Sequence, residues 1–314
     1  MPTPDSLMEA IKYFSNPDNC YTFMVSLRWA DGKVKCPRCG SEHIVYLANA
    51  KKWKCYAKHP QPTFTLKTGT IFEDSPIGLD KWLAASWLVL NCKNGISSYE
   101  VSRDLQVTQK TAWFMLHRIR LAMQDENTGG KLGGEVEVDE TFIGGKARNM
   151  HADVKARKIQ GTGPAVKAIV AAVLERGGRV RAKVINKRKK ADLQSLVRDN
   201  VEAGSALFSD ALKSYNGLAA EYEHQVVDHA IEYVLDNCHT NSLENSWSLL
   251  KRGINGTYIS VEPFHLFRYV DEQAFRFNNR ILTDGERFQL ALKQIVGKRV
   301  TYEQLTGKAE HAQS

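Results

Sequence analysis

Residues 135 to 210 carry a run of segments whose order constrains the fold more than any other feature of this 314-residue chain. Glu-Val-Glu-Val-Asp-Glu (135 to 140) and Lys-Ala-Ile-Val-Ala-Ala-Val-Leu (167 to 174) read as strands. Gly177-Gly178 signals a hairpin from the second run into Arg-Val-Arg-Ala-Lys-Val-Ile (179 to 185). There Val180, Ala182 and Val184 alternate with Arg179, Arg181 and Lys183, the pattern of a strand with one wet face. Leu193, Leu196 and Val197 give residues 191–201 the stripe of an amphipathic helix, and the apolar run from Ala206 to Ser209 reads as a fourth strand. Strand, strand, strand, helix, strand predicts an α/β domain with a mixed sheet and flanking helices.

Three acids fall at telling places in that pattern. Asp139 and Asp210 close apolar strands, and Glu244 lies in His-Thr-Asn-Ser-Leu-Glu-Asn-Ser-Trp (239 to 247), which reads as a helix. Any one of them alone is more often a solvated strand end, a turn residue or a cap, as Asp210 is before Ala-Leu-Lys-Ser-Tyr. Three that converge repel one another unless a divalent cation fills the gap. The grouping therefore points to a metal site for phosphate chemistry.

Longer stretches sharpen this reading: Val-Asp-Glu-Thr-Phe-Ile-Gly-Gly-Lys (138 to 146), Phe-Ser-Asp (208 to 210), the segment from His239 to Ile254, Gly-Thr-Tyr (256 to 258) and Phe-Arg-Phe-Asn-Asn-Arg (275 to 280). Residues 129 to about 280 resemble the catalytic domain of bacterial insertion-sequence DDE transposases, in the subgroup with an N-terminal zinc ribbon. The resemblance implies a ribonuclease-H-like fold with Asp139, Asp210 and Glu244 as the catalytic triad holding Mg²⁺ (or Mn²⁺). It implies cleavage at the terminal inverted repeats of an element and strand transfer into target DNA, by a homodimer or higher assembly on DNA. A metal-dependent nuclease of the same fold would keep the acids without joining ends, and a transposase-derived regulator would tolerate their loss.

Lys251 follows Glu244 by seven positions, nearly two helical turns, so both project from one face about 10 Å apart along the axis. Leu243, Trp247, Leu250 and Ile254 form the apolar stripe of that helix. The resemblance implies that Lys251 contacts DNA at the active site, with Arg252 beside it; the alternative is a snorkelling surface lysine. His239 and Asn241 suit either phosphate positioning or capping.

A second constellation lies upstream. Cys36-Pro-Arg-Cys39-Gly40 turns two thiolates toward one point, and Cys55-Tyr-Ala-Lys-His59 supplies a second pair for a tetrahedral Zn²⁺ site. The resembled family commonly has Cys-x2-Cys in the second knuckle, so His59 departs from it, and His43 competes as fourth ligand. Six cysteines are too sparse for a disulfide scaffold; Cys20, Cys92 and Cys238 read as packing residues.

Between the two constellations, Ser97 or Ser98 can cap a short helix ending near Leu105, Gln106-Val107 makes a turn, and Thr108 caps a longer helix through Met123. With Gln109, Lys110 and Arg118 taken as exposed, this is helix-turn-helix grammar for DNA binding. Leu79 to Leu90 supports it through Trp82, Leu83, Trp87 and Leu88. Gly129-Gly130 and Gly133-Gly134 mark a boundary. The expected division is a ribbon in 1–75, a helical module in 76–128, the catalytic domain in 129–285 and a tail in 286–314. A net charge of +8 favours a polyanionic partner. Its placement in Lys146, Arg148, Lys155, Arg157 and Lys158 and in 187–190 suggests arms on a DNA backbone. The start lacks a basic, apolar leader and no apolar stretch is long enough to span a bilayer, so a cytoplasmic, nucleoid-associated protein with no membrane partner is expected.

Overall fold

The computed structural model describes residues 4–124, 129–145, 167–227 and 240–307. Contacts divide the chain into two units, Met1–Gln124 with Ile281–Ser314, and Asp125–Arg280. Lys146, Arg148, Lys155, Arg157, Lys158, Cys238 and His239 lie outside the described residues.

In the first unit, polar caps start the helices. Ser6 accepts from the Glu9 N–H ahead of Leu7–Phe14, and Asn16 accepts from the Asp18 N–H ahead of Pro17–Arg28. Strands β1 (Ile44–Leu47), β2 (Lys52–Cys55) and β3 (Thr63–Phe64) then form a small antiparallel sheet. Helix Leu79–Asn91 buries Trp82, Leu83, Trp87, Val89 and Leu90, while Leu88, expected in the core, is half-buried. A reciprocal Ser97–Glu100 capping box starts helix Ser98–Asp104, and Thr108 caps Gln109–Leu121 after a turn in which Gln106 has φ 49°.

Two expectations change here. Arg118 is only 3% exposed: it donates to the Glu73 carbonyl at 2.6 Å and lies 5.5 Å from the Trp82 ring centre and 5.3 Å from that of Phe114. Its helical position falls on the stripe of buried Met115 and Ile119, so its long arm packs inward and presents no charge to DNA. Of the segment 286–314, read as a tail, residues 286–307 are built into this unit. Phe288 on helix Asp284–Lys293 is fully buried, with ring centres of Phe14, Phe23 and Trp87 at 5.6, 5.7 and 5.1 Å. The Ile71 N–H also donates to the Ile295 carbonyl at 3.1 Å.

The second unit is a five-stranded sheet made of β4 (Glu135–Ile143), β5 (Ala168–Glu175), β6 (Val180–Ile185), β7 (Ala206–Asp210) and β8 (Glu223–Val227). Their order is β6-β5-β4-β7-β8; β4, β5 and β6 pair antiparallel, and β7 and β8 run parallel to β4. This is the ribonuclease-H-like α/β fold. Strand alternation splits its core in two. Val136 and Val138 face Leu193, Leu196 and Val197 of helix Lys190–Asn200, joined by Tyr215 and Leu218. Ile143, Val170 and Ala172 face Leu243, Trp247, Leu250 and Ile254, with Leu266 and Val270 of helix Leu266–Asn278.

The β5–β6 hairpin turns through Gly177 at φ +72°, as the Gly-Gly pair predicts. Asn278 clamps it, accepting from the Val180 N–H at 2.7 Å and donating to the Val180 carbonyl at 3.0 Å, while Arg280 donates to the carbonyls of Gly177 and Gly178. The wet face expected of β6 is not wholly wet: Arg181 is 7% exposed, with a hydrogen bond to the Gly130 carbonyl, beside the end of the helix that covers this face.

If residues 286–307 are structural, Phe288→Ala should destabilise the first unit by about 3 to 5 kcal/mol, the usual effect of emptying a buried phenylalanine site. Urea unfolding followed by tryptophan fluorescence reads this directly. An unchanged midpoint would restore the tail.

Candidate active site and metal centres

The pairing of β4 with β7 ends at Val138↔Ser209, so Asp139 and Asp210 follow at the point where the two parallel strands part. Oxygens of Asp139, Glu140 and Asp210 come within 4.8 Å of one another. Consecutive strand residues point to opposite faces, and Asp139 and Glu140 converge on one gap because β7 stops there.

Each carboxylate is oriented by a donor. Asp139 Oδ2 accepts from Trp247 Nε1 at 2.9 Å, Asp210 Oδ1 accepts from the Leu212 N–H at 3.1 Å, and Glu140 accepts from the Tyr215 hydroxyl. Burial pushes Asp139 up to about 6, and the charges of Asp210 and Glu244 add to this while hydrogen bonds from the Glu140 N–H and Trp247 oppose it. Burial also pushes Glu140 up to about 7, opposed by Tyr215 and Arg188 and reinforced by Asp210 and Asp139. Close, oriented, reluctantly ionised oxygens fit a hard divalent cation.

The three acids singled out in the sequence are not the three in closest contact. Glu244, in the first turn of helix Asn241–Arg252, is exposed and outside the 4.8 Å group, although its charge reaches Asp139. Glu140 takes the near place. Its adjacency to Asp139 in sequence hides it, since alternation assigns neighbours to opposite faces. Trp247 was legible as core but not as a donor to the site. Lys251 and Arg252 are exposed on the last turn of the helix, and of the exposed residues 187–190 Arg188 acts by its charge on Glu140.

The start of that helix departs from the capping expected of Asn241. Asn241 is exposed, Thr240 at the cap position makes no side-chain cap bond, and the Leu243 N–H instead donates to buried Glu137.

In the first unit, ligand atoms of Cys36, Cys39, Cys55 and His59 also lie within 4.8 Å of one another. The Cys36 Sγ–His59 Nε2 distance is 3.5 Å and Cys39 Sγ–Cys55 Sγ is 3.7 Å. A tetrahedron with Zn–S about 2.3 Å and Zn–N about 2.0 to 2.1 Å has edges of about 3.5 and about 3.8 Å, so the donors are spaced for zinc. Gly40 at φ +72° closes the first knuckle, its N–H donating to the Cys36 carbonyl at 2.8 Å. His43, the competing ligand, is exposed and packs its ring 5.0 Å from that of Tyr56. Of the expected DNA-reading residues, Gln109 is half-buried and donates to Ser98 Oγ at 2.8 Å, whereas Lys110 is exposed over the Tyr302 ring at 4.8 Å.

Two family models match this chain: the ISXO2-like transposase domain over residues 131–278 and the transposase zinc-ribbon domain over residues 15–57. Residues 131–278 thus match an insertion-sequence transposase domain, preceded by a transposase zinc ribbon. The ribbon match holds the three cysteines and ends short of His59. A protein of Halobacterium salinarum, named as an uncharacterized protein in transposable element ISH50, is 26% identical over 259 residues, covering 79% of this transposase and 86% of that protein. An uncharacterized transposase-like protein of Haemophilus influenzae is 26% identical over 102 residues, covering 32% and 82%. A pre-cleavage Mos1 transpososome aligns at 11% identity and TM-score 0.26, covering 79% of this chain and 83% of that one. A Mos1 paired-end complex with the left transposon end aligns at 12% and 0.21, covering 65% and 79%. Among the described residues, no helix is long and apolar enough to cross a membrane.

Two measurements check the two centres. The unfolded chain releases the Asp139 and Glu140 protons near pH 4, and the folded chain near 6 and 7. Between those values the folded state binds more protons, so metal-free stability should fall as pH rises from about 4 to about 7. Thermal unfolding across that range should show the fall, and Glu140→Gln should flatten its upper half; an unaltered profile in that variant removes Glu140 from the effect. For the ribbon, metal analysis of Cys36→Ser or Cys55→Ser should find about one zinc per chain lost. His59→Ala should lose it too, while His43→Ala keeps it; the reverse pattern reassigns the fourth ligand.

Proposed function

We propose that this transposase cleaves DNA at the ends of its element and joins the freed ends to target DNA, with Asp139, Asp210 and Glu244 as the acids that bind Mg²⁺ (or Mn²⁺) and Glu140 as a fourth carboxylate beside them. The observation that carries this reading is the convergence of oriented, half-buried carboxylate oxygens at the end of the β4–β7 pair. A pair of such ions, when bound, activates an attacking oxygen and stabilises the leaving oxygen of an in-line displacement at phosphorus.

The chain's own groups do the positioning. Trp247 and the Leu212 N–H fix one oxygen each of Asp139 and Asp210, and Tyr215 fixes Glu140, so the acids need little reorganisation when the phosphate arrives. Water as the attacking group gives cleavage; the freed 3′-hydroxyl gives strand transfer. Lys251, Arg252 and the exposed basic run 187–190 supply charge for the DNA backbone, and Gln109 and Lys110 with the zinc ribbon supply recognition of the terminal repeats. Arg118 has no part in this, being buried. Two ends joined in one reaction favour a homodimer or larger assembly on DNA.

The test is a joining assay with pre-cleaved and uncleaved end DNA in Mg²⁺. Asp139→Asn, Asp210→Asn and Glu244→Gln should each abolish cleavage and joining while end binding survives. Glu140→Gln should reduce both by about 10- to 100-fold, as loss of a supporting carboxylate does. Lys251→Ala should lower joining on every substrate and flatten its salt dependence by about one charge. Near-normal joining by any variant of the first three strikes that residue from the site, and cleavage without joining in the unaltered protein leaves a nuclease.

A further inference from the structure

We propose that Glu137 is a positioning residue for Glu244: its buried carboxylate fixes the start of the helix that carries the third acid, and so sets where that acid stands relative to Asp139 and Asp210. The inference rests on the reading of those acids as cation ligands.

Glu137 is two residues before Asp139, hence on the same face of β4, and is fully buried. Its Oε2 accepts from the Leu243 N–H at 2.9 Å, and its Oε1 accepts from Arg176 Nε at 3.0 Å. Leu243 is the third residue of its helix, so its N–H is one of the donors that no helical carbonyl can satisfy. Thr240 leaves it uncapped, and Glu137 takes it from another strand, placing negative charge at the positive end of the helix. Arg176 extends the hold. It also pairs with Glu135 at 3.1 Å and lies 4.0 Å over the ring of Phe208, two residues before Asp210.

One buried ion pair therefore ties together the strands of Asp139 and Asp210 and the helix of Glu244. For stability alone an apolar pair would serve as well, because desolvating two charges offsets most of their attraction. A fixed helix position is what the charges add.

Mn²⁺ binding to the full chain, followed by electron paramagnetic resonance of the free ion, tests this with no DNA present. Glu137→Met should weaken the binding by about tenfold, the lower end of what loss of a supporting partner does. Glu137→Gln keeps the shape and an acceptor and should fold even where Met does not. Its loss of charge at the helix start should weaken binding by about threefold. In a Glu244→Gln background neither change should weaken binding further, because the residue through which Glu137 acts is gone. Unaltered affinity in Glu137→Gln, or equal losses in both backgrounds, overturns the proposal in favour of a purely structural ion pair. Unaltered affinity in Glu244→Gln alone overturns the cation-ligand reading itself, and the positioning role falls with it.

Discussion

Carboxylates forced together govern the catalytic unit. Two unit charges 4.8 Å apart repel by roughly 3 to 4 kcal/mol at an effective dielectric of about 20, and the gap holds three such groups. The hydrogen bonds that orient them contribute about 0.5 to 1.5 kcal/mol each, or somewhat more to a charged acceptor. Those donors set direction but do not cancel the repulsion. What does is either a proton, which burial first and the neighbouring charges second already favour on Asp139 and Glu140, or a cation. A site that must choose between the two is one whose occupancy depends on pH in the neutral range.

The sheet tolerates this because the acids sit where its ladder ends. Behind them Val136 and Val138 are locked into antiparallel pairs with β5 and parallel pairs with β7, with core on both faces. One residue further, β7 stops, and Asp139 and Glu140 meet across an open edge. A shorter β4 would lose the support and a longer β7 would close the gap. Strand ends thus bring Asp139, Glu140 and Asp210 to one place, and the donors Trp247, the Leu212 N–H and Tyr215 orient them there.

Most of this was legible before any coordinates. Apolar runs, the Gly-Gly hairpin and the spaced leucines gave the strand and helix order of the sheet as far as β7. The stripe of Leu243, Trp247, Leu250 and Ile254 gave the buried face of the Glu244 helix, and thiolate spacing drew Cys36, Cys39, Cys55 and His59 together. Three kinds of information were not local enough to read. Glu140 follows from where β7 ends, which its own strand does not encode. Arg118 and Arg181 look exposed by residue type, yet one lies under aromatic rings and the other beside a covering helix. The cap of Leu243 comes from Glu137, 106 residues earlier, so a motif confined to neighbours favours Asn241 instead. Phe288 belongs to the same class: nothing near it in sequence says that its partners are Phe14, Phe23 and Trp87.

The two metal centres follow opposite logic, and this bears on how DNA can reach the active site. In the ribbon, sulfur and nitrogen donors already stand at tetrahedral spacing, so the ion serves the fold and has no reason to exchange. At the sheet edge the oxygens are hard, incompletely gathered and partly open, since Glu244 stands off from the other three acids. Without a cation, the ionised members of that cluster repel a phosphate. The flanking charges of Arg188, Lys251 and Arg252 are exposed and screened over about 10 Å in ordinary salt, so they attract DNA to the face but cannot neutralise the centre. Under the proposed function, cation loading must therefore strengthen productive DNA binding, and by linkage DNA must tighten the cations. Glu244 stands on a helix held at one end by Glu137 and along its length by the core stripe.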